Sequence, residues 1–381
     1  MKRIYWRPHK VGRIELGLVM LLAVGGVFAV EQFTVVEKQD HYEEKIDAAR
    51  KTRLAFEAIR SARIAQGTRF DPDTDPSDSG IVGTLVSPIT TNWGSLSAKQ
   101  ISVNPNFGAL AVHYLTRLDI EEGDVIAVGL SGSFPAINVA VIAAIETLGA
   151  EALVISSTSA SQWGANDPRM VWSDMEAVLV ERGIFTTRSV AVSRGGIEDK
   201  AIGLSGEGKA LLDAAMARSG ARELRAVDYA ASVVDRMAIY SEKAAGRPIK
   251  AYVNVGGGTS SVGTKIGKRL FDPGINRSVP FGARQVDSVM TRFVLRGVPV
   301  IHFVKISRLA DRYGFPLKMT EMPQVGQGRI FSRRVYNPWL AGAFVLAVLG
   351  LMVAFVRRDW GFRMLKVAAR RESRRPPEQM V

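Results

Sequence analysis

The chain has 381 residues, of which 47% are hydrophobic and 23% are charged, and this composition excludes a disordered or collagen-like protein. It contains no cysteine, which excludes disulfides, thiolate metal sites and a cysteine nucleophile. The net charge of +13 is concentrated at the ends: residues 1–13 hold five basic and no acidic residues, and residues 357–381 hold eight basic and three acidic ones. This pattern is typical of tails that flank a membrane, so no nucleic-acid partner is predicted.

Two apolar segments lie beside these tails. Residues 14–36 contain a run of 15 apolar or glycine residues, and residues 338–356 contain a run of 18. A bilayer core needs roughly 20 residues of helix, so both segments are predicted to span the membrane. Cleavage after Val27-Phe28-Ala29 would instead make the first one a signal peptide. Basic residues precede the first span and follow the second one. The positive-inside rule therefore predicts that both termini are cytoplasmic and that the main domain lies on the other side of the membrane.

The segment after the first span reads as a helix followed by a linker. Residues 37–70 contain no proline and no glycine before Gly67, and their apolar residues recur at helical spacing. They are predicted to form either a stalk or an ordinary packed helix. Residues 71–80 combine four aspartates with Pro, Ser and Gly, which predicts a turn-rich linker. The segment lacks the distal glutamate of a calcium loop, so no metal is expected there.

Within residues 71–335, short apolar runs alternate with helical stretches. The five predicted strands are 124–130, 152–156, 189–192, 249–255 and 299–304. The predicted helices are 135–148, 173–182, 205–218, 228–245 and 284–295. This alternation predicts an α/β fold with a doubly wound, mostly parallel sheet. Ligands of such sheets bind beyond the carboxyl ends of the strands.

Three of those strand ends carry glycine and small polar residues. The first continues into a serine–glycine turn before Pro135, where a helix start would attract an anion. The second runs into a hydroxyl-rich loop, and the later one into a glycine-rich loop that lets a ligand approach the backbone. Together they predict a polar or anionic ligand site. Its predicted residues are Gly132, Ser157, Thr158, Trp163, Asn166, Asn254, Gly256, Gly257, Gly258 and Thr259.

Basic residues follow the glycine-rich loop. They are Lys265, Lys268, Arg269, Arg277 and Arg284, with Asp272 as the one acidic residue among them. A solvated helix face would explain such a cluster, but an anionic chain would also find cations there. Lys268 and Arg269 therefore complete the predicted ligand-binding set.

The serine–glycine turn also suggests nucleophilic chemistry. It departs from the G-x-S-x-G elbow because Ser133 stands where the second glycine belongs. Ser131 and Ser133 are nevertheless the candidate nucleophiles. A triad would need His113 or His302 nearby, and His302 lies in an apolar strand where a core histidine is expected.

Asp174 and Glu176 are the candidate acid–base pair. Both lie at the start of a predicted helix, where carboxylates also stabilise the helix dipole. The sequence contains no P-loop, HExxH or zinc-type spacing, so no cofactor and no metal are predicted.

Two resemblances bear on function. Residues 123–156 resemble a phosphosugar-binding segment of the sugar-isomerase type. A second resemblance spans nearly all of the chain. It rests on four sequence segments between the two terminal spans: GLSGSFPAINVAVIAA, SQWGANDPRMVWSDME, GLSGEGKALL and YVNVGGGTSSVG. This arrangement resembles the bacterial poly-gamma-glutamate system protein family. The resemblance implies a component of the bacterial cytoplasmic membrane whose partners are poly-gamma-glutamate, other membrane subunits of the synthase and the lipid bilayer. It assigns no catalytic residues.

The sequence motifs argue against a role as the ligase that makes the polymer. Ligation of glutamate needs an ATP-derived donor, whereas the main domain is expected on the side without ATP and lacks a P-loop. An accessory component that binds or processes the emerging polyanion is therefore expected, rather than the ligase. Three alternatives stay open: a serine-dependent hydrolase or transferase that releases or anchors the polymer, a phosphosugar-type binding module, and a purely structural partner of other subunits.

Overall fold

The structure is a computed structural model that describes residues 13–263 and 267–358. Lys265 and nearly all of the two predicted basic tails lie outside the described residues. The chain divides into two compact units. We call the described part of residues 1–37 and 332–381 the terminal unit, and that of Lys38–Phe331 the main unit.

Helices and strands alternate along most of the described chain. The helices are α1 (Arg13–Gln32), α2 (Tyr42–Ala65), α3 (Leu96–Ser102), α4 (Phe107–Thr116), α5 (Pro135–Thr147), α6 (Trp172–Glu181), α7 (Gly206–Ser219), α8 (Tyr229–Ala244), α9 (Thr259–Val262), α10 (Gly267–Leu270), α11 (Val289–Leu295), α12 (Ile306–Tyr313) and α13 (Pro338–Arg358). The strands are β1 (Thr34–Lys38), β2 (Thr90–Asn92), β3 (Val125–Ser131), β4 (Glu151–Ser157), β5 (Ala160–Ser161), β6 (Ser189–Ser193), β7 (Arg222–Leu224), β8 (Ile249–Val255), β9 (Gly274–Asn276), β10 (Val300–Phe303) and β11 (Ser332–Tyr336).

The terminal unit pairs the first and last helices. Helix α1 packs on α13, and strand β1 pairs with β11. The helices approach closely at Gly26, where a Cβ would lie 2.8 Å from the Phe344 ring. Both helices are long and apolar enough to cross a membrane, with mean hydropathies of 2.0 and 2.2, and most of their large apolar side chains are exposed.

A seven-stranded sheet forms the centre of the main unit. Its order is β7-β6-β4-β3-β8-β10-β9, and every neighbouring pair is parallel except β10 with β9. The predicted α/β class with a mostly parallel sheet is therefore confirmed. The chain leaves β3 toward β4, β6 and β7, and returns on the other side through β8 and β10. The strand order thus reverses between β3 and β8.

The sequence of β3 explains its central position. Ile126 and Val128 belong to one hydrophobic cluster with residues of α2, α4 and α5. Val125 and Ala127 belong to another with residues of α8 and α11. Because successive side chains of a strand point to opposite faces, a continuous apolar run is needed to fill both clusters.

Several predicted elements needed correction. The helix predicted over 284–295 begins at Val289, because the Ser288 side chain caps it by accepting the Thr291 N–H. Residues 71–80 are not a free linker: the buried Asp75 carboxylate accepts hydrogen bonds from Ser79 and from the Gly80 amide. Helix α4, which was not predicted, is buried on almost every side, so its sequence has little polar periodicity.

Candidate functional site

A pocket of about 390 Å³ opens at the carboxyl ends of β3, β4, β6 and β8. This is the point at which the strand order reverses, where sheets of this kind bind ligands. We call it the hydroxyl pocket. It is lined by Thr91, Asn92, Trp93, Ser131, Ser133, Phe134, Ser157, Ser159, Ser161, Gly196, Ile197, Gly257, Gly258, Thr259 and Lys268.

Strand register brings the hydroxyls together. Ser131, the last residue of β3, lies opposite Ser157 of β4, which in turn lies opposite Ser193 of β6. The loops beyond these strands are joined by hydrogen bonds, because the Ser161 amide donates to Ser133 Oγ at 3.1 Å. The Gly132 amide also donates to the Ser157 carbonyl at 3.0 Å. Small residues after each strand therefore form one continuous wall.

The lining favours an anion. Seven of the lining residues carry hydroxyl groups and Lys268 supplies a cation, while none of the lining residues in the described chain is acidic. Helix α5 begins beside the pocket at Pro135, directly after the lining residue Phe134. The positive end of its dipole therefore lies close to any ligand bound here.

Two serine hydroxyls in the pocket wall lack a partner within the part of the chain that the structure describes. Ser131 is 7% exposed and Ser159 is 3% exposed, and neither Oγ has a hydrogen-bond partner among the described protein atoms. An unsatisfied buried hydroxyl costs about 1–3 kcal/mol. A ligand with acceptor oxygens would remove this penalty, so these two groups point to a bound polar molecule.

Lys99 is the most unusual group at this site, and it was not predicted. It lies on α3, is 2% exposed, and forms no ion pair within the described chain. Its Nζ donates to the Ser133 carbonyl and lies 3.0 Å from Ser161 Oγ. The same nitrogen lies 3.7 Å from the centre of the Phe134 ring. Burial lowers the pKa of Lys99 to about 7.

The sequence did contain a signal for Lys99. It is the one Lys, Arg, Asp or Glu residue between Asp78 and Arg117. An isolated charge in so long an uncharged stretch is unlike a solvated helix face, which usually carries several charges.

Two glycines allow the wall to pack closely. Gly256 has a φ of +87°, and a Cβ there would lie 2.5 Å from Ser131 Oγ. Gly195 has a φ of +76°, and a Cβ there would lie 2.8 Å from Ser159 Oγ. Any other residue at either position would be strained in its backbone and would displace one of the unpartnered hydroxyls.

A buried ion pair supports the wall from behind. Arg236 on α8 donates from Nη2 to Asp199 Oδ2 at 2.8 Å, and the two side chains are 3% and 5% exposed. Asp199 also accepts hydrogen bonds from Ser193 and Ser232, both at 2.6 Å. These contacts anchor the turn that carries the lining residues Gly196 and Ile197.

The structure brings many of the predicted site residues to this pocket and leaves others outside it. The predicted residues that line it are Ser131, Ser133, Ser157, Gly257, Gly258, Thr259 and Lys268. Gly132 and Gly256 do not line it, but both adjoin lining residues: the Gly132 amide bonds the Ser157 carbonyl, and a Cβ at Gly256 would meet Ser131 Oγ. The lining residues that were not predicted are Thr91, Asn92, Trp93, Phe134, Ser159, Ser161, Gly196 and Ile197. Phe134, Ser159 and Ser161 belong to the serine–glycine turn and the hydroxyl-rich loop that the sequence indicated, although they were not chosen as site residues. Nothing local in the sequence indicates that residues 91–93 or the turn after β6 reach the edge of β3.

The predicted acid–base pair does not line the pocket. Asp174 accepts the Val171 amide at 3.0 Å and pairs with Arg218, so it caps α6. Glu176 is buried and accepts both the amide and the hydroxyl of Ser189. Burial raises the pKa of Glu176 to about 7. Contacts within the fold account for both carboxylates.

Besides Gly132 and Gly256, five predicted ligand residues lie outside the lining. Asn166 is fully buried; its side-chain oxygen accepts from the Thr84 amide, and its side-chain nitrogen donates to the Thr84 carbonyl. Asn254 donates to the Gly256 carbonyl and contacts His302, so it shapes the glycine-rich loop. Thr158 is buried, Trp163 lines a different pocket, and the exposed Arg269 follows Lys268 without reaching the hydroxyl pocket.

Among residues 13–263 and 267–358, no serine–histidine triad is assembled at this site. No histidine is among the described residues that line the pocket. His302 is 1% exposed, and its Nδ1 lies 3.0 Å from Asn254. Burial lowers the pKa of His302 to about 4, in keeping with a neutral core histidine.

Comparison with known proteins adds no functional assignment. No protein-family model matches the chain, and the search of curated proteins found no match. Among solved structures, the chain shows a likeness to the crystal structure of an archaeal alanine:glyoxylate aminotransferase, at 12% identity. The likeness covers 82% of this chain and 62% of that one, with a TM-score of 0.18. A score this low carries no argument about fold or function, so the function has to be argued from the hydroxyl pocket.

Proposed function

We propose that this protein is a membrane-anchored accessory component of a poly-gamma-glutamate synthesis or export system, and that the hydroxyl pocket binds the anionic polymer. The observation that carries the proposal is the polarity of the pocket. It combines seven hydroxyl groups and Lys268 with no acidic lining residue in the described chain, and two of its buried serine hydroxyls have no protein partner.

Poly-gamma-glutamate matches this chemistry. Each repeat presents a carboxylate, an amide carbonyl and an amide N–H. Carboxylate and carbonyl oxygens can accept from serine hydroxyls, and a carboxylate also forms a charge-assisted hydrogen bond with a lysine. Trp93 is 91% exposed at the rim and can cover the methylene groups between them. The pocket volume lies within the range of roughly 300–1,000 Å³ that is usual for small-molecule sites, so it would hold a short stretch of the chain.

The architecture proposed for this role is a doubly wound main unit held outside the membrane. The reversal of strand order between β3 and β8, and the two hydrophobic clusters that share β3, support the doubly wound description. The length and hydropathy of α1 and α13 support their assignment as membrane spans. Positive charge at both chain ends supports cytoplasmic termini.

Lys268→Ala is expected to weaken binding of poly-gamma-glutamate by about tenfold or more, because a hydrogen bond to a charged group contributes about 1.5–3 kcal/mol. Arg269→Ala is the matched control: it removes the same charge from the same short helix, α10, but from a residue that does not line the pocket. Its effect should stay within about twofold. Titration of the full-length protein in detergent with purified polymer, followed by tryptophan fluorescence, measures both.

Binding should also weaken as salt is raised, since the contacts are ionic. Equal losses for the two variants would point to a diffuse basic surface and contradict binding in the pocket. Absence of binding at low salt would remove the proposal. Tighter binding of a hexose phosphate than of the polymer would favour the phosphosugar alternative.

The proposed topology is tested with single cysteines, which the natural chain lacks. Ser307→Cys places a thiol on an exposed position of α12 in the main unit, and Ser373→Cys places one in the C-terminal tail. In intact spheroplasts, a membrane-impermeant maleimide is expected to label Ser307→Cys, and to label Ser373→Cys only after detergent is added. The reverse pattern would contradict the orientation. The intact mass of the purified protein distinguishes a retained first span from a cleaved signal peptide.

A further inference from the structure

Ligand binding explains the polarity of the hydroxyl pocket, but it does not explain the contact between Lys99 and Ser161. Ser161 lines the pocket and is 8% exposed, and its Oγ lies 3.0 Å from Lys99 Nζ. Lys99 reaches it from behind, through the space beside the Phe134 ring. A pocket-facing hydroxyl therefore touches a buried amine.

Burial favours the neutral form of Lys99. Its Nζ contacts the Ser133 carbonyl, the Ser161 hydroxyl and the Phe134 ring, and within the described chain no carboxylate pairs with it. Lys268 is the one charged residue among the described residues that line the pocket. Burial without a counter-ion is the arrangement that turns a lysine into a proton acceptor near neutral pH.

We propose that Ser161 and Lys99 form a serine–lysine dyad that cleaves, or transfers, an amide or ester bond of a ligand held in the hydroxyl pocket. Only the choice of poly-gamma-glutamate as the substrate rests on the function proposed above. The dyad itself rests on the 3.0 Å contact, on the burial of both groups and on the opening of Ser161 to the pocket.

The reaction divides into two acyl-transfer steps. Ser161 Oγ attacks the carbonyl carbon of the substrate while Lys99 Nζ takes the serine proton, and the carbonyl electron pair moves onto the oxygen. When that pair returns, the carbon–nitrogen bond breaks, the leaving amine receives the proton from Lys99, and an ester to Ser161 remains. Water then attacks the ester, Lys99 takes a proton from the water, and the departing Ser161 Oγ recovers it.

The geometry favours Ser161 over the two serines that the sequence indicated. Ser131 Oγ has no partner, and therefore no base in contact with it among the described atoms. Ser133 Oγ accepts the Ser161 amide, and Lys99 contacts the carbonyl of Ser133 rather than its hydroxyl. Ser131 and Ser159 remain free to hydrogen-bond the substrate.

The test uses the full-length protein in detergent with three substrates: poly-gamma-glutamate, gamma-glutamyl p-nitroanilide and p-nitrophenyl acetate. Wild type is expected to cleave at least one of them, and Ser161→Ala to fall to the background rate. Lys99→Met should lose about 10²- to 10⁴-fold, the usual contribution of a general base. Lys99→Arg should be similarly inactive, because a guanidinium keeps the length and the donors but does not accept a proton. Lys318→Met and Ser307→Ala, both exposed and outside the pocket lining, are the controls.

Two readouts separate a base from a structural lysine. The wild-type rate should rise as the pH rises through about 7, where Lys99 loses its proton, because the neutral amine is the active form. A fluorophosphonate probe should label the wild type, and peptide mass spectrometry should locate the label on Ser161. Labelling of the folded wild type supports the dyad even if a variant at position 99 unfolds.

Opposite results would overturn the dyad. A full rate in Ser161→Ala, or a label that lies on another serine, would contradict it directly. Wild-type protein that binds poly-gamma-glutamate but neither cleaves a substrate nor takes the label would remove the dyad and leave the binding function standing. Cleavage of the chromogenic substrates without any binding of the polymer would support the dyad and remove poly-gamma-glutamate as its ligand.

Discussion

Asp199→Ala is expected to lower the free energy of unfolding by about 3–5 kcal/mol, because it leaves the Arg236 guanidinium charged and unpaired in the interior. Arg236 and Asp199 are 3% and 5% exposed in their side chains, and their closest atoms lie 2.8 Å apart. The variant also leaves the hydroxyls of Ser193 and Ser232 without the carboxylate that they contact. Urea unfolding of the full-length protein in detergent measures the change.

An exposed ion pair provides the control. Arg222 and Glu242 lie 2.9 Å apart, close to the distance in the buried pair, but both side chains are more than half exposed. Glu242→Ala should therefore cost no more than about 1 kcal/mol. The double variant Asp199→Ala with Arg236→Met should lose clearly less than the sum of the two single variants, since neither partner is then left as a buried charge. Similar losses for Asp199→Ala and Glu242→Ala would show that the interior pair is solvated.

The second large effect concerns pH. Glu176 is expected to make the wild type less stable as the pH rises from about 5 to about 7. Burial raises the pKa of Glu176 to about 7 from an ordinary value of 4.5, so in this interval the folded state holds a proton that the unfolded state has released. The difference of roughly 2.5 pH units corresponds to about 3 kcal/mol.

Glu176→Gln removes this titration and keeps an oxygen that can accept from Ser189. The stability of the variant relative to wild type should therefore grow by about 3 kcal/mol between pH 5 and pH 8. Unfolding midpoints across that range measure it. A difference that stays constant with pH would show that Glu176 ionises in the fold at its ordinary pKa.

Above pH 7, Lys99 is expected to change the stability in the opposite direction. Burial lowers the pKa of Lys99 from 10.5 to about 7, so above pH 7 the unfolded state holds a proton that the folded state lacks. Wild-type stability should rise by about 1.4 kcal/mol per pH unit from pH 7 toward pH 10 through this group, and Lys99→Met should lose that rise. Through these two residues we expect stability to fall toward pH 7 from the acid side and to rise above it. Glu176→Gln should remove the fall, and Lys99→Met should remove the rise.

Much of the fold followed from local patterns. The apolar runs at 124–130 and 249–255 became β3 and β8, because a strand covered on both faces is largely apolar. Lys250, near the exposed start of β8, and the hydrogen-bonded Asn254 are the polar exceptions in that strand. The small residues after them reached one pocket, since parallel strands end at the same edge of a sheet. Edge strands β7 and β9 were missed, because three residues are too few to show a periodicity.

The site was less predictable than the fold. Asp174 and Glu176 stood close to a conspicuous loop, yet the structure turns them toward Arg218 and Ser189. Their proximity in sequence indicated nothing about the direction of their side chains, because one turn of helix is enough to carry a residue from the pocket to the interior.

The sequence by itself determined the α/β class, the two apolar terminal helices and the serine- and glycine-rich strand ends, because each depends on composition and periodicity within a short window. Only the tertiary structure decided that Lys99 meets Ser161, and that Asp199 and Arg236 hold the turn after β6. Such pairs are separated by dozens of residues, and their contact depends on strand order and register. The chemistry of a buried lysine or an ion pair is set by the atoms around it, and those atoms are assembled only when the chain folds.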